Sequence, residues 1–181
     1  QERSLLLQDM ASQARKGGFL ALEEKLDTLD DPFLKRGIGM LVDGFDKDYI
    51  LETLEQEIEM EQEEIEHTVK FYEAMGGYAP TMGIVGAVLG LIHAMGLLDK
   101  PDELGGGIAV AFVATIYGVA FANLMFLPFG NRYKLFASQI RNYKIMTLTG
   151  IIIIADGLSP QQLQIRLAAF TGQHQDEKEK A

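Results

Sequence analysis

The sequence predicts an all-α membrane protein: a two-helix transmembrane hairpin with a cytoplasmic helical domain before it and C-terminal cytoplasmic helices after it. Three observations predict this. Residues 78–98 and 104–131 contain no Asp, Glu, Lys or Arg, and each run exceeds the ~18 apolar residues that mark a spanning helix; at about 1.5 Å per residue, ~20 residues cover a hydrocarbon layer about 30 Å thick. Between them "DKPDELGG" is short and polar, with a proline and glycines that suit a turn between antiparallel helices. On both sides, apolar residues recur at helical spacing. The expected boundaries are a cytoplasmic domain over 1–76, a first span over 77–99, an external loop over 100–106, a second span over 107–130 and cytoplasmic helices with a tail over 131–181.

In chain order, Leu6, Met10 and Ala14 give a short helix over 4–16, with Ser4 as its cap and Gly17-Gly18 as its stop. "FLALEEKLD" reads as a second helix, broken by Asp31-Pro32. "FLKRGIGMLVDGF" reads as a third, with Gly44 marking a break. From Asp46 to about Met75, Leu51, Leu54, Ile58, Ile65, Val69 and Tyr72 form the stripe of one long helix. Its other faces carry Glu52, Glu55, Glu57, Glu59, Glu61, Glu63, Glu64 and Glu66 and read as a solvated acidic surface, with a basic partner surface as the alternative. Beyond the second span, 131–145 is basic and amphipathic. The run "IMTLTGIIIIA" is too short to span and is expected to pack on neighbouring helices. "SPQQLQIRLAAF" opens with a capping box, Ser159 at the N-cap, Pro160 at N1 and Gln162 at N3, and "HQDEKEKA" is expected to be a disordered tail.

Basic residues set the orientation. The loop holds only Lys100, whereas Lys70 precedes the first span and Arg132, Lys134, Arg141 and Lys144 follow the second; the positive-inside rule places both outer ends in the cytoplasm. A net charge of −10 without a basic stripe argues against nucleic-acid binding. The absence of cysteine removes disulfides, thiolate metal sites and Cys nucleophiles. The N-terminal stretch does not read as a signal peptide, and without an initiator Met the chain is expected to be processed or incomplete.

His67, His93 and His174 have no metal-ligand spacing, and no nucleophile elbow, Walker lysine motif or dinucleotide fingerprint is present. Neither an enzyme nor a bound cofactor is expected. The spans are more informative. Gly83, Gly86 and Gly90, with Ala87 beside them, permit close approach of another helix. Pro80 is expected as a first-turn proline or a kink. Thr115, Tyr117 and Asn123 are the polar groups of the second span, and Pro128 lies near its cytoplasmic end. Thr115 can bond back to its own helix or face water or an ion. Ion translocation generally uses an intramembrane carboxylate, and neither span has one, so a carboxylate must come from another chain. His93, toward the outer face, reads as interfacial.

"PTMGIVGAVLGLIHAMG" followed by "GGIAVAFVATIYGVAFANLMFLPFGNRYK" resembles the MotA/PomA family of flagellar stator subunits, within the MotA/TolQ/ExbB superfamily, over the family's third and fourth transmembrane helices. The resemblance extends back through "SQARKGGFLALEEKLD" and forward through "GLSPQQLQIRL". Such chains carry two further transmembrane helices ahead of this region, so the sequence is expected to be a fragment. The resemblance implies a multi-pass bacterial inner-membrane protein, mostly cytoplasmic, forming a pentamer in membrane lipid around a MotB-type dimer whose aspartate binds the ion. Ion flux would drive torque on the rotor protein FliG, through Arg15 and Glu23. Pro80 and Pro128 would couple ion binding to conformational change.

Sodium-type relatives place a threonine seven residues after the first proline and a Thr-Thr pair in the fourth helix. Here the corresponding ion-pathway positions are Ala87 and Ala114-Thr115. Methyl groups cannot ligate a hard cation, so proton coupling is expected. The alternatives are an ExbB/TolQ-type ion-driven energiser and a passive membrane scaffold.

Overall fold

The computed structural model describes residues 2–171, so the expectations for His174 and the tail lie outside the described residues. Every regular element among the described residues is helical. The chain forms two compact units: Gln1–Gln62 joined by Ser138–Ala181, and the inserted Glu63–Ala137. The two cytoplasmic segments expected as separate regions therefore share one unit.

In the first unit, α1 (Glu2–Gly17) already includes Ser4, whose hydroxyl accepts from the Gln8 amide at 3.4 Å instead of capping. Gly18, at φ 74°, ends the helix in the left-handed region that glycine enters without penalty. The expected second helix divides into a 3-10 turn, Phe19–Leu22, and α2 (Glu23–Leu26). The division leaves Leu22 fully buried and Leu20 exposed.

Asp31-Pro32 starts an element as well as ending one. The Asp31 carboxylate accepts from the backbone N–H groups of Phe33 and Leu34 at 2.9 and 3.2 Å, capping α3 (Pro32–Val42) with Pro32 in its first turn. Asp31 also pairs with Arg3 at 2.5 Å. Two long helices pass through this unit. α4 (Lys47–Met95) runs 49 residues, and α6 (Leu127–Ala155) runs 29. α7 (Pro160–Thr171) follows. Its expected capping box forms: the Ser159 N–H donates to Gln162 Oε1 at 2.9 Å and the Gln162 N–H to Ser159 Oγ at 3.3 Å.

The core joins Leu7 and Met10 of α1, Phe33, Leu34 and Ile38 of α3, Ile50 and Leu54 of α4, Ile151, Ile153 and Ile154 of α6, and Leu163 and Leu167 of α7. "IMTLTGIIIIA" thus lies in a protein core, as its length implied. Gly150 packs tightly on Leu7, whose Cδ1 stands 2.6 Å from where a β-carbon would be.

The acidic face is only partly solvated. Lys144 Nζ pairs with Glu61 at 2.6 Å and Glu57 at 3.8 Å and lies 4.9 Å from the centre of the Phe33 ring; Arg36 pairs with Glu57 as well. Sequence spacing could not show this, because both cations come from other helices. Lys47 pairs with Asp156 at 2.9 Å. That hydrogen bond, with the Asp156 charge, holds the lysine above its ordinary pKa. The lysine side of the contact therefore stays charged through neutral pH and is lost as pH climbs through the raised lysine value.

Ile151 is fully buried, and Ile151→Ala should cost about 2–5 kcal/mol. The measurement is denaturant unfolding of the solubilised chain; an unchanged midpoint would contradict the packing described.

Candidate functional site

The second unit is a helical hairpin of α4 and α5 (Pro101–Ala120). The turn is shorter than expected: α5 starts at Pro101 within the segment read as loop, with Pro at its start and Asp102 and Glu103 in the first turn, where negative charge suits the helix dipole. α4 shows no break between a cytoplasmic helix and a span. Gly76, Gly77 and Pro80 all lie inside it, so Pro80 is not a first-turn proline. Its missing N–H leaves the Gly76 carbonyl without the usual i,i+4 donor, a loss that packed membrane helices tolerate.

The two backbones approach along a line of small residues. Ala94 faces Gly107, Gly90 faces Ala111, Gly86 faces Ala114, and Gly83 faces both Thr115 and Gly118. A methyl at Gly83 would stand 3.0 Å from the Ala114 carbonyl oxygen, and one at Gly118 would stand 2.6 Å from the Ala79 carbonyl. Neither neighbour is a side chain that can rotate away. The α4 half of this line, Gly83, Gly86 and Gly90, is legible in the sequence. The α5 half, Gly107, Ala111 and Gly118, was missed, although its spacings of four and seven residues carry the same signal.

Toward the cytoplasmic end of the second expected span, Phe121–Phe126 forms a π turn, unanticipated from sequence, which leads directly into α6. The Leu127 N–H donates to the Ala122 carbonyl, five residues back. Pro128 can neither donate to the Leu124 carbonyl nor fit easily against it in an ordinary turn, and a wider turn just ahead accommodates that conflict. The turn also resets the phase. Ala122 and Gly130 are both buried, yet eight residues of uninterrupted α-helix would swing them about 80° apart; the extra residue in the π turn returns Gly130 to α4, with Tyr72 Cβ 3.3 Å from its would-be methyl.

The structure brings together most of the expected pathway and coupling residues. Ala114 and Thr115 are half-buried opposite Gly83 and Gly86, and half-buried Ala87 follows Gly86. The Thr115 hydroxyl donates to the Ala111 carbonyl at 3.2 Å, leaving its oxygen lone pairs available to accept. Leu127, beside Pro128, packs on Gly76, one turn before Pro80, with its Cδ2 2.5 Å from the would-be methyl. Thus the residue preceding one proline rests on the turn that the other deprives of a hydrogen bond. His93 is exposed. Asn123, also exposed, donates to the Val119 carbonyl at 2.9 Å. Arg15 and Glu23 lie in the first unit, at the end of α1 and the start of α2; both are exposed and, among the described residues, neither forms an ion pair. No group of three or more His, Cys, Asp or Glu placed to hold a metal exists among the described residues.

Residues 25–146 match the MotA/TolQ/ExbB proton channel family. Motility protein A of Helicobacter pylori is 39% identical over 164 residues, covering 91% of this chain and 64% of that protein. The solved structure of C. jejuni MotAB superposes with a TM-score of 0.90 at 37% identity, over 93% of this chain and 66% of that one. The flagellar MotAB stator complex from Bacillus subtilis gives 0.85 at 34% identity, over 92% and 65%. The chain thus spans a little under two thirds of the length of these relatives.

The cysteine-free sequence makes the hairpin contact testable. In the detergent-solubilised chain Ala111→Cys, buried against Gly90, should react slowly with maleimide, while the exposed positions Val85→Cys and Val113→Cys should react quickly. Adding Gly118→Leu should speed labelling at position 111; unchanged slow labelling would show that the close approach is dispensable.

Proposed function

The chain belongs to the MotA/TolQ/ExbB proton channel family, and from that premise we propose that it is a MotA-type subunit of a flagellar stator. The observation that carries this reading is the 0.90 superposition on a MotAB chain over 93% of the sequence. The hairpin would cross the bacterial inner membrane with its outer ends in the cytoplasm, consistent with two helices long and apolar enough to do so. Copies of the chain, a pentamer by family resemblance, would surround a MotB-type partner that supplies the membrane aspartate.

In this reading the line from Ala87 to Ala114 and Thr115 forms one side of the ion path. Only Thr115 offers a side-chain hydroxyl at the three positions where sodium-type relatives place hydroxyls, so one side-chain oxygen stands where those relatives have three. A hydrated sodium ion shed of its water would need several oxygen ligands; a proton passing to a carboxylate needs none of them. Proton coupling follows. Pro80 and Pro128 act at the turn where Leu127 packs on Gly76: each removes one main-chain hydrogen bond, so that region can change conformation with fewer bonds to break. Arg15 and Glu23 would present unpaired charges to the rotor protein FliG.

Two measurements test this. Swimming speed of cells carrying the full stator pair, at constant proton-motive force, should be flat as sodium varies; speed that tracks sodium would overturn proton coupling. Exchanging the charges, Arg15→Glu with Glu23→Arg, should reduce rotation severely while leaving membrane assembly intact. An ExbB/TolQ-type energiser would be indifferent to that exchange.

A further inference from the structure

Among the residues that the proposed function leaves unused, Tyr72, Phe129, Arg132, Tyr133 and Phe136 line an open cleft of about 330 Å³ in the second unit. Tyr72 and Phe129 have their ring centres 6.2 Å apart. Arg132 is exposed and, among the described residues, has no carboxylate partner. Glu73 follows Tyr72 but does not line the cleft. The site therefore combines one uncompensated guanidinium, two tyrosine hydroxyls and apolar ring faces.

Its level along the hairpin follows from counting residues. From Glu103, the last charge before the second uncharged run, to Arg132, the first after it, the helix rises about 43 Å, close to the ~40–45 Å of a bilayer with its headgroups. From Asp99 back to Glu73 the corresponding rise is about 39 Å. With Glu103 and Asp99 at the outer surface, Arg132 and Tyr72 both fall in the inner headgroup layer. Aromatic rings and arginine are the side chains that favour this layer, and the cytoplasmic leaflet is where anionic lipid concentrates.

We propose that this cleft binds the headgroup of an anionic phospholipid, with Arg132 on the phosphate, the tyrosine hydroxyls on phosphate or glycerol oxygens, and the rings of Phe129 and Phe136 against the upper acyl chain. This rests on the reading of the hairpin as membrane-spanning. A guanidinium engages a phosphate through two parallel N–H bonds, and an anionic lipid, unlike a zwitterionic one, brings no ammonium to offset the attraction.

The test uses the full chain in its assembled membrane complex, reconstituted with phosphatidylglycerol and phosphatidylethanolamine, the lipid retained after mild extraction being counted by native mass spectrometry. Phosphatidylglycerol should be retained preferentially. Arg132→Gln should lower its retention about fivefold, Arg132→Lys, which keeps the charge but not the paired N–H bonds, should fall between wild type and that variant, and Lys134→Gln, outside the cleft, should change little. Equal losses in Arg132→Gln and Lys134→Gln would mean diffuse surface charge and overturn the site, as would no loss in Arg132→Gln. A Phe136→Cys variant that cross-links to a second copy would assign the cleft to a subunit contact and also overturn it. Release of the chain from membranes by alkaline washing would instead defeat the membrane-spanning reading itself.

Discussion

Two backbones meeting without side chains between them is the constraint on which the rest of the hairpin depends. At Gly83 and Gly118 each helix occupies space that a β-carbon on the other would need. Lipid tails are as apolar as leucine, so burying apolar surface does little to hold two membrane helices together; close van der Waals contact and short Cα–H···O contacts must do it. The outer faces follow from the same economy of contact. Leu89, Val110 and Ile116 remain exposed, large side chains turned away from the contact line and available to lipid or to other subunits.

The π turn and the prolines serve that line. A helix that must return a buried glycine to its partner after eight residues needs an extra residue in one turn, and Phe121–Phe126 supplies it immediately before Pro128. Pro80 and Pro128 each withhold one main-chain donor, from the Gly76 and Leu124 carbonyls, close to where Leu127 meets Gly76. Both positions lie at the end of the contact line away from the connecting turn. A rearrangement near Thr115 would have fewer main-chain hydrogen bonds to break there.

Much of this was legible in the residues. Uncharged runs of sufficient length gave the hairpin, Ser159 and Gln162 gave a capping box that forms as drawn, and the brevity of "IMTLTGIIIIA" placed it in a protein core. Other features depend on partners distant in sequence. Glu57 and Glu61 looked solvated because Lys144 and Arg36 come from other helices. The continuity of α4 through Gly76, Gly77 and Pro80 contradicts local propensity, and packing against α5 and α6 overrides it. The π turn has no residue signature of its own; only the phase of buried positions on both sides reveals it. Ala87, Ala114 and Thr115 drew attention through family resemblance, and the structure adds that they sit at one level of the hairpin.

The first unit is split by the hairpin, and that has a consequence for biogenesis. Leu7, Phe33 and Leu54 find their partners Ile151, Ile153 and Leu163 only on the far side of the inserted segment. A ribosome making ~5–20 residues per second takes about 4–15 s to cross those roughly 75 residues. Throughout that interval α1 and α3 have only the partners that precede the hairpin, among them Leu22, Ile50, Leu54 and Ile58, and lack the α6 and α7 half of the core. Slow codons within the hairpin would lengthen the time for which that half-built core stays open to aggregation and proteolysis.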